Sequence, residues 1–144
     1  MRIAVAGVLS AVVVLLATAP VAAAGDEAAL FGKKYHSVSV TKDGKPKPLV
    51  EGTHLWVKFR QDGERTSVGW RAGCNFYGAR LEIEDDVLDV KRRSMISTDM
   101  GCSSDRHRQD DFFARFFAQD PSWIASGDDL TLATERVTIE LSRK

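Results

Sequence analysis

Thr53-His54-Leu55-Trp56-Val57-Lys58-Phe59-Arg60-Gln61-Asp62-Gly63-Glu64-Arg65-Thr66-Ser67-Val68-Gly69-Trp70-Arg71-Ala72 is the stretch whose reading decides the fold. Leu55, Val57 and Phe59 alternate with His54, Trp56, Lys58 and Arg60, the period of a strand with one buried face. Gln61-Asp62-Gly63-Glu64 supplies turn residues, and Thr66, Val68, Trp70 and Ala72 then share one face of a return strand. The stretch predicts a β-hairpin. Its apolar face needs a cover, and its other face carries His54, Trp56, Lys58 and Arg60. Such a row of cations around one aromatic is a candidate patch for a partner or an anionic ligand. An ordinary surface tryptophan packed under the stems of Lys58 and Arg60 has the same pattern.

Outward from the hairpin, period two persists. Phe31 to Thr41 reads as a strand with Val38 and Val40 on one face, followed by a loop over Lys42-Asp43-Gly44-Lys45-Pro46-Lys47-Pro48, where glycine and two prolines interrupt regular structure. Leu81 and Ile83 start another strand, Asp85-Asp86 turns it, and Leu88 and Val90 carry the return. Leu130 and Leu132 form a further strand, and Val137, Ile139 and Leu141 the last, with Glu135-Arg136 between them. One segment changes period. From Asp105 to Gln119, Phe112, Phe113, Phe116 and Phe117 fall on one helical stripe, with Ser103, Ser104 or Asp105 to cap the start and Asp120-Pro121 to end it. Each buried phenylalanine contributes about 1.5–3 kcal/mol, so this helix must lie on the sheet. The expected fold is α+β and mainly β: a small antiparallel sheet or partly closed barrel of seven or so strands, with one amphipathic helix packed on it.

The beginning of the chain has a different character. Of the first 24 residues, 19 are apolar. Met1-Arg2, the uncharged run from Ile3 to Ala19, Pro20 and Ala22-Ala23-Ala24 have the layout of a Sec-type signal peptide cleaved after Ala24. Residues 25–144 are then the exported domain. The competing expectation is a retained anchor, because Ile3 to Ala24 lacks charge for about 22 residues. No Arg-Arg pair precedes the apolar run, and no cysteine near the cleavage point can take a lipid. The expected location is therefore secreted or periplasmic, with no membrane span after cleavage and no lipoprotein anchor.

Twenty Lys+Arg balance twenty Asp+Glu, which argues against nucleic acid as partner, since its binders carry a basic excess. In an exported protein, two cysteines read as one disulfide, Cys74 to Cys102. Free thiols, or a catalytic or metal role, are the alternatives. No C-x-x-C, H-x-x-x-H or H-E-x-x-H spacing occurs, so neither a metal nor a cofactor is expected.

Gly73-Cys74-Asn75, a following strand pair, then Thr98-x-Met100-Gly101-Cys102 before an amphipathic helix, resembles the META domain, or HslJ-like, family. Trp123 and Gly127-Asp128-Asp129-Leu130-Thr131-Leu132 fit the same pattern, so the resemblance runs from Phe31 to about Leu141. It implies a small β-rich domain with one helix on an antiparallel sheet, an association with stress response and the cell envelope, and no catalytic set. Its signature positions are Gly73, Cys74, Asn75, Thr98, Met100 and Cys102, all with structural roles. Gly73 can take a conformation with positive φ, and Asn75 can satisfy nearby backbone groups at a tight turn. One departure is Phe76-Tyr77-Gly78-Ala79-Arg80, compressed against the family's usual small-residue turn.

No residue set points to catalysis. Cys102 at a helix start would be an activated thiol, but His107 lies five residues along the same helix, poorly placed to take its proton, and is expected exposed. Asp85-Asp86, Asp110-Asp111 and Asp128-Asp129 are expected to be solvated carboxylates. The expectation is a non-catalytic, monomeric, exported binding or accessory module for a protein or envelope component. A hydrolase using Cys102 and an inhibitor of extracellular proteases are the alternatives.

Overall fold

The computed structural model describes residues 26–143. The expected signal peptide, residues 1–24, lies outside the described residues. A 3-10 turn at Glu27–Leu30 precedes ten strands: β1 (Tyr35–Lys42), β2 (Lys45–Pro46), β3 (Trp56–Asp62), β4 (Arg65–Arg71), β5 (Phe76–Glu84), β6 (Val87–Val90), β7 (Ile96–Ser97), β8 (Ser122–Ser126), β9 (Asp129–Ala133) and β10 (Val137–Ser142). The helix α1 spans Ser104–Phe117, between β7 and β8. Antiparallel pairing runs β1-β3-β4-β5-β6-β8-β9-β10 and returns to β1, which closes an eight-stranded barrel. The short strands β2 and β7 pair with β1 and β5 outside that circuit.

The decisive hairpin forms in the expected register. Trp56 lies opposite Arg71, Val57 opposite Trp70 and Phe59 opposite Val68. Gly63 at the turn has φ +59°, a conformation that glycine adopts without steric cost. Leu55, Val57, Phe59, Val68, Trp70 and Ala72 all point inward and are buried.

Three expectations are corrected. Val38 and Val40 do not share a face: Val40 is buried and Val38 is exposed. The register between β1 and β10 shifts between Ser37 and Ser39, and such a bulge turns one residue outward while bending the strand. Phe31 precedes the strand and makes one isolated bridge to Phe59. Finally, β8 was not foreseen as a strand. It pairs β6 through Val87–Ser122 and β9 through five positions, and it completes the barrel circuit.

Helix α1 closes one end of the barrel. Phe113, Phe116 and Phe117 are buried, while Phe112 is half-buried beneath the Lys47 ammonium. Trp70 packs between Phe117 (centroids 4.2 Å) and Tyr77 (5.4 Å), stacked on both. Offset stacking of this kind adds about 0.5–1.5 kcal/mol per pair beyond area burial. No helix among the described residues is long and apolar enough to cross a membrane.

Candidate functional site

The helix is fastened to the end of β4 by two adjacent polar residues. Gln109 accepts the Val50 N–H (2.7 Å) through Oε1 and donates through Nε2 to the Thr53 hydroxyl and the Ala72 carbonyl. The Asp110 carboxylate accepts three consecutive backbone N–H groups: Gly73 (2.8 Å), Cys74 (3.1 Å) and Asn75 (2.8 Å). Successive N–H groups turned to one side make a concave anion seat, and here the anion belongs to the protein. Asp110 is 1% exposed, so its expected solvated state is corrected. Both of its oxygens are engaged, which leaves no acceptor for a general base.

The signature residues surround this carboxylate. Asn75 Oδ1 accepts from the Thr98 hydroxyl (3.0 Å) and the Met100 N–H (2.8 Å), and Thr98 Oγ1 accepts from the Phe76 N–H (3.0 Å). Cys74 and Cys102 are joined by a disulfide, with Cα atoms 6.3 Å apart. Gly73 is not at positive φ. A Cβ there would lie 2.3 Å from the Arg106 carbonyl oxygen, so glycine is needed because the helix backbone passes over it. Gly73, Cys74, Asn75, Thr98, Met100 and Cys102 therefore build one knot between strand and helix.

Cys102 in a disulfide has no thiolate to offer, which removes the nucleophile of the hydrolase alternative. His107 is half-buried rather than exposed. Asp105, in the helix's first turn, has its carboxyl held below the usual range by a hydrogen bond with Ser103 and by the Arg106 N–H. The carboxylates of Glu82, Glu84 and Asp89 approach one another on the surface. The Lys91 ammonium bonds Glu82 and Asp89 there, so it offsets part of that cluster's charge, and its own pKa is raised by them.

The patch from the sequence sits beside the knot. Trp56 and Lys58 are half-buried, and His54 and Arg60 are exposed. Across the sheet, Trp56 neighbours Arg71 and Arg71 neighbours Phe76. The Trp56 and Phe76 rings meet at 5.7 Å with a 56° tilt. The Lys34 ammonium lies 4.4 Å over Trp56 and the Arg71 guanidinium 4.9 Å over Phe76. A pocket of about 290 Å³ opens next to these rings, lined by His54, Trp56, Arg71, Gly73 and Arg106 among others. None of Lys34, Lys58, Arg60, Arg71, Arg80 or Arg106 forms an ion pair among the described residues.

Residues 28–144 match the META domain. The chain belongs to the META domain family. No curated protein matches it. Two solved structures resemble this META domain. One, an NMR structure of a protein from Burkholderia xenovorans, has a TM-score of 0.67 at 14% identity, covering 94% of this chain and 99% of that one. The other, also an NMR structure, has a TM-score of 0.56 at 19% identity, covering 77% and 88%. At these identities the likeness speaks for the fold alone.

Four residues of the META domain's candidate surface were missed in the sequence: Lys34, Arg71, Phe76 and Arg106. Arg71 follows from the hairpin register once the Gly63 turn is fixed, and Phe76 from the β4–β5 register, because cross-strand neighbours share a face. Arg106 has no local signal; the docking of α1 alone brings it to the pocket.

Proposed function

We propose that this protein is an exported, non-catalytic META-domain binding module that acts in the cell envelope or outside the cell, in the stress-associated setting of its family. One observation carries the reading: the Trp56–Phe76 pair is flanked, at the mouth of a pocket, by cations that form no ion pair among the described residues. Aromatic and arginine side chains are the groups that anchor binding surfaces. Unpaired cations can steer an anionic partner at long range. Two residues with chemical potential are engaged structurally, Cys102 in a disulfide and Asp110 by backbone N–H groups. Export rests on the layout of residues 1–24. Mass analysis of the protein recovered from the medium or periplasm is expected to find a chain beginning at Gly25.

A photo-crosslinking residue placed at Trp56 tests the surface. The control position is Ile124 on β8, across the barrel from β3 and exposed. Adducts with an envelope or secreted component are expected from position 56 and not from 124. Adducts from 124 alone would move the binding surface to the other side of the barrel.

A further inference from the structure

The outer face of β3, β4 and β5 is organised in rungs. The first is Trp56–Arg71–Phe76, the second Lys58–Gly69–Gly78 and the third Arg60–Ser67–Arg80. Each rung carries at least one cation, and Arg106 extends the series above the first, at the pocket. None of these cations is paired with a carboxylate among the described residues. Same-face residues on a strand recur every second position, about 6.8 Å along the sheet. The middle rung has no side chain on β4 or β5, and Arg60 from the next rung leans into that space. The Arg60 guanidinium lies over Gly69, with Nη1 3.4 Å from where a Cβ would be.

Resting on the binding reading above, we infer that this face takes an extended acidic peptide segment of a partner protein, with carboxylates on alternate residues. An extended peptide laid along β3 presents same-side side chains at the same spacing of about 6.8 Å. Carboxylates at positions i, i+2 and i+4 then meet the cations of successive rungs in register. The end carboxylate reaches the pocket, where the Arg71 and Arg106 guanidinium groups offer donor forks suited to a carboxylate. The apolar part of the segment lies on Trp56 and Phe76. Lys58 and Arg60, standing on the rigid strand, set the register.

Two peptides of identical composition separate register from bulk charge: one alternating Glu and Thr through eight residues, the other with four Glu followed by four Thr. Trp56 is half-buried while Trp70 and Trp123 are buried, so quenching or enhancement of tryptophan fluorescence reports the face directly. The alternating peptide is expected to bind at least about tenfold tighter than the block peptide, a difference of about 1.4 kcal/mol. Lys58→Gln with Arg60→Gln, two surface changes that leave the core intact, is expected to remove that preference, and added salt to weaken binding. Equal affinity for both peptides, an unchanged preference in the double variant, or equally tight binding of an eight-residue thymidine oligonucleotide would overturn the inference. So would failure of both peptides to bind. Those failures leave crosslinking from Trp56 as a separate readout, so the loss of the peptide assignment is distinguishable from the loss of the binding surface.

Discussion

Asp110 shows how much one side chain can hold when its surroundings are built for it. Its carboxylate gathers the N–H groups of Gly73, Cys74 and Asn75 at the point where β4 ends and the helix crosses. Hydrogen bonds to a charged group contribute about 1.5–3 kcal/mol, and buried donors left without a partner cost about 1–3 kcal/mol. Asp110→Ala is therefore expected to lose about 3 kcal/mol or more in urea unfolding, whereas Asp111→Ala, at the exposed neighbour, changes stability by less than about 0.5 kcal/mol. Equal losses at the two positions would show that the knot does not hold the helix. The sequence did not distinguish these neighbours. An Asp-Asp pair on a helix reads as solvated, and only the docking of that helix on a strand end decides which aspartate is buried. The same docking explains Gly73, whose role is the 2.3 Å approach of the Arg106 carbonyl to a Cβ position rather than a special φ.

Among the elements, local periodicity was a good guide wherever one face is buried. The β3–β4 hairpin, the β5–β6 pair, the β9–β10 pair and the helix are all legible in residue alternation. Two features escaped. β8 carries one deeply buried large residue, Trp123, beside exposed Ile124, too little alternation to mark a strand; its neighbours β6 and β9 define it. The β1 bulge moved Val38 outward for reasons of barrel curvature that a sequence period cannot express. The cysteine pair was legible through its count and the expectation of export, and it ties the end of β4 to the helix entrance. Closing a loop of this length removes denatured-state entropy worth about 3.5 kcal/mol. Reduction is expected to lower the unfolding free energy by about that amount while leaving the barrel folded, because Asp110 and Gln109 still anchor α1. Denaturant curves with and without reductant measure the difference; an unaltered midpoint would mean that the reduced ensemble is already restrained. The candidate site was half legible: His54, Trp56, Lys58 and Arg60 lie on one strand, but their neighbours Lys34, Arg71, Phe76 and Arg106 come from four other places in the chain.

At the scale of the whole molecule, one end of the barrel is sealed where the start and finish of the described chain meet. The Tyr35 hydroxyl donates to the Ala29 carbonyl (2.7 Å), and Arg143 donates to the same carbonyl (3.0 Å) and to that of Gly127 (2.7 Å). The Arg143 guanidinium also lies 5.2 Å over the Tyr35 ring. Burial raises the Tyr35 phenol above its ordinary value of 10.0, with the nearby Arg143 charge opposing and the Asp128 charge assisting. Tyr77, stacked on Trp70, is raised by burial and by the Asp110 and Asp111 charges. A group whose folded pKa is raised contributes stability that is complete below its unfolded value and is lost as pH rises through the folded one. The depressed Asp43 and Asp105 carboxyls act in the opposite sense. Their contribution is present above the unfolded value and lost as pH falls, but they are exposed and solvent-screened, so their share of the acid side is small. The urea midpoint should therefore hold through neutral pH and fall above about pH 10. Tyr35→Phe is expected to be less stable by about 1 kcal/mol at neutral pH, where the Ala29 bond is lost. The gap to the parent should then narrow as pH climbs, because the variant has no phenol to ionise at the seal. If the two proteins decline in parallel up to pH 11, the seal is not what limits the barrel in alkali, and Tyr77 becomes the residue to replace next.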